Sequence, residues 1–110
     1  DPSLAEGLML LTPFSVTVPE TQSFVEAYTA ANDGVTPNQF AADAYDGVYI
    51  VKEALEKVGC TADMSSADIC EALVAQMTQI SYSGLTGKDM TWNAEGQVSK
   101  APTAYVIKGG

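Results

Sequence analysis

Residues 41–58 read AADAYDGVYIVKEALEKV, and the rest of the chain is organised around them. Ala44, Val48, Val51, Leu55 and Val58 recur at steps of three and four, which places them on one stripe of a helix. Tyr45 and Tyr49 widen the stripe, while Lys52, Glu53, Glu56 and Lys57 fall mostly on other faces. Gly59 follows at once, and glycine accepts the left-handed backbone with which helices commonly end. The stripe is expected to be the buried face of the best-defined helix in the chain.

Working upstream, Pro37-Asn38 reads as a turn. Before it, Pro19-Glu20 suits the start of a first helix, with proline at an early helical position and a carboxylate near the positive end of the dipole. Phe24, Val25, Tyr28 and Ala31 supply its apolar stripe, and Asn32-Asp33-Gly34 ends it. Leu8 to Leu11 is a short apolar run between Gly7 and Thr12-Pro13, expected to be a buried strand. Residues 1–6 read as a linker or a cut end.

Downstream, Cys60 to Met64 is a loop. Ser65-Ser66 opens a third helix, and the spacing from Ser65 to Asp68 resembles a capping box with Asp in place of Glu. Ile69, Leu73, Met77 and Ile80 mark its inner face. Ser83-Gly84-Leu85-Thr86-Gly87 is a turn-rich loop, Met90 to Asn93 a short strand, Ala94-Glu95-Gly96 a turn and Ala104 to Ile107 a final strand. The result is an α/β chain ordered strand, three helices, strand, strand. Three striped helices need more sheet than three short strands provide, so part of their partner surface is expected to belong to a larger protein.

Composition removes whole classes of function. Fourteen Asp and Glu stand against five Lys and Arg, giving a net charge of −9. Nucleic acid and anionic membrane surfaces, which require a basic patch, are therefore not expected partners. With no histidine, the chain by itself cannot build a Ser-His-Asp or Cys-His centre, and two cysteines do not make a zinc site. No catalytic residue, metal or cofactor is expected, and no apolar run approaches the ~20 residues of a membrane span. Gly84 to Lys88 lacks the glycine spacing and following helix of a phosphate loop.

Five stretches carry a resemblance. Glu6-Gly7-Leu8-Met9-Leu10-Leu11-Thr12-Pro13-Phe14 resembles the strand-to-hinge stretch of type I periplasmic binding proteins of the branched-chain amino acid class. Phe24-Val25-Glu26-Ala27-Tyr28 is similar to that family's next helix, and Ala44-Tyr45-Asp46-Gly47-Val48 to its Ala-Tyr-Asp-Ala-Val helix, with Gly47 departing from the pattern. Tyr82 to Gly87 resembles its aromatic-x-Gly-x-Thr-Gly loop. Trp92-Asn93-Ala94-Glu95-Gly96 resembles the hydrophobic-Asp-x-x-Gly turn that follows, with Trp92 and Asn93 as departures. The weight lies in five motifs in the same order over nearly the whole chain.

The resemblance implies a partial periplasmic-binding-protein-like fold, in which residues 1–110 form the C-terminal segment of a longer two-lobed protein. It implies an extracytoplasmic solute-binding subunit of an ABC importer, in the periplasm or lipid-anchored on the outer face of the cell membrane. Such a subunit clamps an amino acid or similar small polar solute between lobes and works with a membrane permease, without chemistry. A ligand-sensing ectodomain or regulator of the same fold is the alternative, since fold does not fix function. An autonomous small enzyme is the third reading, disfavoured by the missing His and Arg.

The same resemblance nominates site residues. Phe40, Ala42 and Asp43 are expected to line the cleft, Asp43 receiving an ammonium group and Phe40 packing on the solute's side chain. The plainer alternatives are core packing for Phe40 and a solvated pair at the helix start for Asp43 and Asp46. Export of the parent would make a Cys60–Cys70 disulfide natural, against two reduced thiols. The isolated segment is expected to self-associate through apolar faces meant for an absent lobe.

Overall fold

The computed structural model describes residues 2–109, with Pro2 described in its backbone only. After a 3-10 turn at Pro2–Ala5, strand β1 covers Met9–Thr12. A 3-10 turn at Pro19–Thr21 leads into helix α1 at Gln22–Ala31, followed by α2 at Gln39–Val58, α3 at Ser66–Met77 and strand β2 at Thr103–Val106. Among the described residues the sheet is one antiparallel pair, with Met9 opposite Val106 and Thr12 opposite Thr103.

Local chemistry sets the helix ends. The Asn38 side chain accepts the Ala41 N–H at 3.0 Å, and Gly59 closes α2 at φ 72°. Ser65 Oγ accepts the Asp68 N–H at 3.2 Å and donates to the Asp68 carboxylate at 2.6 Å, completing the expected cap. At the other end of α1, Asp33 at φ 52° and Gly34 at φ 84° turn the chain out of the helix.

The main core is small. Phe14 meets Phe24 edge-on at 6.0 Å, and fully buried Ala42 closes the cluster, with Val16, Val25, Tyr28, Ala41 and Leu85 around it. Ala54, Asp46, Thr86, Ile80 and Met90 are buried as well, and α3 packs along α2.

Three expectations change. The run Leu8 to Leu11 does form a strand, but it is exposed: Met9 and Leu11 keep 63 % and 70 % of their surface, because only β2 lies beside them. The stripe of α2 is not its buried face either, since Val48 is 68 % exposed. Met90 to Asn93 is not a strand. Met90 bridges back to Tyr82 and Trp92 bridges forward to Val98, and each pairing turns away after one residue.

Candidate functional site

The polar face of α2 builds the site. Gln39, Asp43 and Asp46 stand four and then three residues apart, so they share one side of the helix. Each fastens a different segment. Thr12 Oγ1, at the end of β1, donates to Gln39 Oε1 at 3.1 Å, and Gln39 Nε2 reaches Asp43 Oδ2 at 3.5 Å. Lys100, three residues before β2, meets Asp43 Oδ1 at 2.6 Å. The pair is partly shielded, with 21 % of the lysine side chain and 33 % of the aspartate exposed. The other two described ion pairs, Lys52–Glu56 and Lys57–Glu53, are surface pairs within α2.

Asp46 makes the third and strongest anchor. It is 2 % exposed. Its carboxylate accepts the Leu85 N–H at 2.9 Å, the Thr86 N–H at 2.9 Å and the Thr86 hydroxyl at 2.7 Å. The loop is closed on itself by Gly84 N–H to the Gly87 carbonyl at 2.9 Å. Gly84 has to be glycine here: a Cβ would sit 2.6 Å from Asp46 Cγ and 2.5 Å from the Tyr82 ring. Burial and then the Asp46 charge hold the Tyr82 phenol above its ordinary 10.0. Tyr45 is raised as well, first by its hydrogen bond to Tyr49 and then by burial.

The nominated residues separate on inspection. Phe40, in the first turn of α2, is 77 % exposed, so it is not core in this chain and is free to meet something outside it. Asp43 lies one turn on, already neutralised by Lys100. Ala42 has no exposed surface: it points into the Phe14–Phe24 core, and its side chain is not available to a solute. Asp46 is neither solvated nor free, contrary to the plain reading of the Asp43–Asp46 pair. Cys60 and Cys70 are free thiols rather than a disulfide, with Cys70 on the outer side of α3 beside Glu71 and Val74. The i, i+4, i+7 spacing of Gln39, Asp43 and Asp46 was visible in the sequence as a shared face, but nothing in it pointed to Thr12 or Lys100 as partners.

Among the described residues no group of three or more His, Cys, Asp or Glu could hold a metal, and no helix is long and apolar enough to cross a membrane. The polar groups Gln39, Asp43 and Asp46 join α2 to the end of β1, to Lys100 ahead of β2 and to the 83–87 loop.

The Periplasmic binding protein family model matches residues 2–110. The chain belongs to the periplasmic binding protein family. No curated protein matches it. Among solved structures, a Rhodospirillum rubrum protein described as a branched-chain amino acid ABC transporter is 27 % identical, with a TM-score of 0.70 over 99 % of this chain and 32 % of that one. An ABC transporter substrate-binding protein from Desulfitobacterium hafniense is 25 % identical, with a TM-score of 0.70 over 96 % of this chain and 30 % of that one. A third, from Sphaerobacter thermophilus, is 24 % identical at a TM-score of 0.61 and supports the fold; it covers 94 % of this chain and 31 % of its own. This periplasmic binding protein chain therefore spans about a third of the length of the structures it matches.

The motifs of the resemblance now have physical content. The Ala-Tyr-Asp stretch and the aromatic-x-Gly-x-Thr-Gly loop are two halves of one contact, the Asp46 clamp. The Trp-Asn-x-x-Gly turn is held by Asn93, whose side-chain oxygen accepts from Glu95 N–H at 3.1 Å and Gln97 N–H at 2.8 Å. Gly96 takes the left-handed position at φ 78°.

Proposed function

We propose that this chain is the C-terminal segment of an extracytoplasmic solute-binding subunit of an ABC importer, and that the solute is an amino acid or a similar small polar molecule. The observation that carries this reading is the likeness over 99 % of the chain to one third of a protein described as a branched-chain amino acid ABC transporter. The segment contributes a wall of the cleft rather than a whole site. Phe40 offers the apolar contact for the solute's side chain. Asp43 contributes through its Lys100 pair, a carboxylate and an ammonium side by side that complement a zwitterion. Capture proceeds by lobe closure, with no bond made or broken, and a membrane permease receives the solute. Parted from the rest of the protein, the segment self-associates to cover its apolar faces.

The test is calorimetry on the full-length protein across a panel of amino acids and related metabolites. At least one amino acid should bind, and Phe40→Ala should weaken it by roughly tenfold, the effect of losing one buried apolar contact worth about 1.4 kcal/mol. Silence across the panel would overturn the solute class. Unchanged affinity in Phe40→Ala would remove Phe40 from the cleft.

A further inference from the structure

The Lys100–Asp43 pair is built differently from a surface ion pair. Among the described residues the other ion pairs lie within α2, whereas this one joins residues 57 apart in the chain. Both ends are guided. Asp43 Oδ1 takes the ammonium at 2.6 Å while Oδ2 is reached by Gln39 Nε2 at 3.5 Å, and Gln39 is itself held by Thr12. The stem of Lys100 passes over Gly87, where a Cβ would stand 3.5 Å from Lys100 Cγ and 2.5 Å from the sulfur of buried Met90. Gly87 in turn closes the loop that Asp46 clamps. The lysine is thus laid across a fixed surface towards a fixed carboxylate, and most of each side chain is out of water.

Such a pair sets the charge of the wall in which it stands. Phe40 is exposed and lies one turn before Asp43, so the ring and the pair share one side of the start of α2. Asp43 alone would give that side a partly shielded negative charge, which draws cations and repels anions. Lys100 alone would do the reverse. Together they sum to zero and leave a dipole. Partial shielding gives the difference weight, because an unmatched charge there acts through an effective dielectric well below that of water.

We propose that Lys100 is a specificity-determining residue: by neutralising Asp43 it makes this wall select solutes of zero net charge. The inference rests on the proposed function for setting the wall at the cleft, and it adds which residue decides the charge class. A zwitterion can lie against the pair with each of its charges matched. A solute with an additional positive group meets the Lys100 ammonium unmatched, and one with an additional negative group meets the Asp43 carboxylate. Selectivity then comes from the charge left without a partner in the wrong complex.

The experiment is calorimetry on the full-length protein with neutral, cationic and anionic amino acids near neutral pH. Lys100→Met should shift the ratio of neutral to cationic affinity towards the cationic group on the order of tenfold, the effect of one unmatched charge in a partly shielded site. Asp43→Asn should shift the ratio of neutral to anionic affinity towards the anionic group by a similar factor. Combining the two changes should bring both ratios back towards those of the native protein, which a merely structural role for the pair would not do. Should Lys100→Met fail to fold, Lys100→Gln removes the same charge and keeps a polar end. Ratios that stay unchanged in the single variants, or a loss spread equally over the three groups, overturn the inference, as does a native preference for a charged group. A native protein that binds none of the three groups overturns the proposed function and this inference with it, whereas a native protein that binds neutral amino acids with unshifted variants overturns this inference alone.

Discussion

Replacing Asp46 by alanine should be the most damaging single change in this segment. Asp46 is 2 % exposed and its carboxylate serves three donors within 2.9 Å, two of them backbone N–H groups of the 83–87 loop. A hydrogen bond to a charged acceptor contributes about 1.5–3 kcal/mol, and stranded buried donors cost more than the mean bond is worth. The three are not additive, and water enters part of the gap, so we expect a loss of about 3–5 kcal/mol. That is a large share of the ~5–15 kcal/mol that holds a domain together. Asp46→Asn should recover only part, since whichever way its amide turns, its N–H donors face the Leu85 N–H or the Thr86 donors. Urea denaturation of the full-length protein gives the total, and hydrogen exchange at the Leu85 and Thr86 amides shows whether the loop is what opens. Gly84→Ala probes the same contact from the other side by driving a methyl into Asp46 and Tyr82. If the contact is as drawn, the double variant costs clearly less than the sum of the singles, because removing the carboxylate makes room for the methyl. A stability change below ~0.5 kcal/mol in Asp46→Ala, the range of an ordinary surface substitution, with both amides still protected, refutes the reasoning.

Four further outcomes follow from the same geometry. Lys100→Met should lower stability by about 1 kcal/mol, the upper end for a partly exposed pair, and the deficit should shrink in high salt; urea midpoints at two salt concentrations check it. Tyr82 has a raised folded pKa, so the unfolded chain loses its phenol proton first, and its contribution to stability should be constant below pH 10 and be lost as pH rises through 10 and beyond; Tyr82→Phe should reduce that fall in denaturation curves taken across the range. Cys70, exposed on α3, should be alkylated before half-buried Cys60 in mass spectra of the native protein. The 110-residue chain alone should sediment heavier than a monomer as concentration rises, and Val48→Glu should return it towards monomer.

What could be read from the sequence was the part decided by neighbours. Gly59, Asn38 and the Ser65–Asp68 pair set helix ends through contacts within four residues, and all three lie where the turn chemistry requires. The glycine turn at 83–87 and the turn at 94–96 were likewise local. The expected Met90–Asn93 strand failed because strand pairing is a relation between distant segments, and here each partner contributes one bridge. Asp46 was misread for the same reason: its three donors are 39 and 40 residues away, and a lone aspartate near a helix start looks the same whether water or a folded loop receives it.

The error over α2 has a different origin. Its apolar stripe is expected to be the buried face, yet in this chain the opposite face is buried and Val48 is 68 % exposed. Periodicity reports which side of a helix avoids water in the finished protein; it does not say which polypeptide segment lies there. When a segment buries its Asp46, Gln39 and Ala42 side and leaves Val48 and Val51 in the open, the pattern and the coordinates describe two different boundaries. On the proposed reading, the first is that of a longer protein and the second that of this segment. The polar anchors have to be internal, because a carboxylate needs specific donors at fixed positions. The apolar side asks only for a surface of suitable shape, which in the proposed two-lobed protein the remainder would provide. On that reading, the mismatch between stripe and burial separates the side with which the segment holds itself together from the side with which it would hold on to the rest.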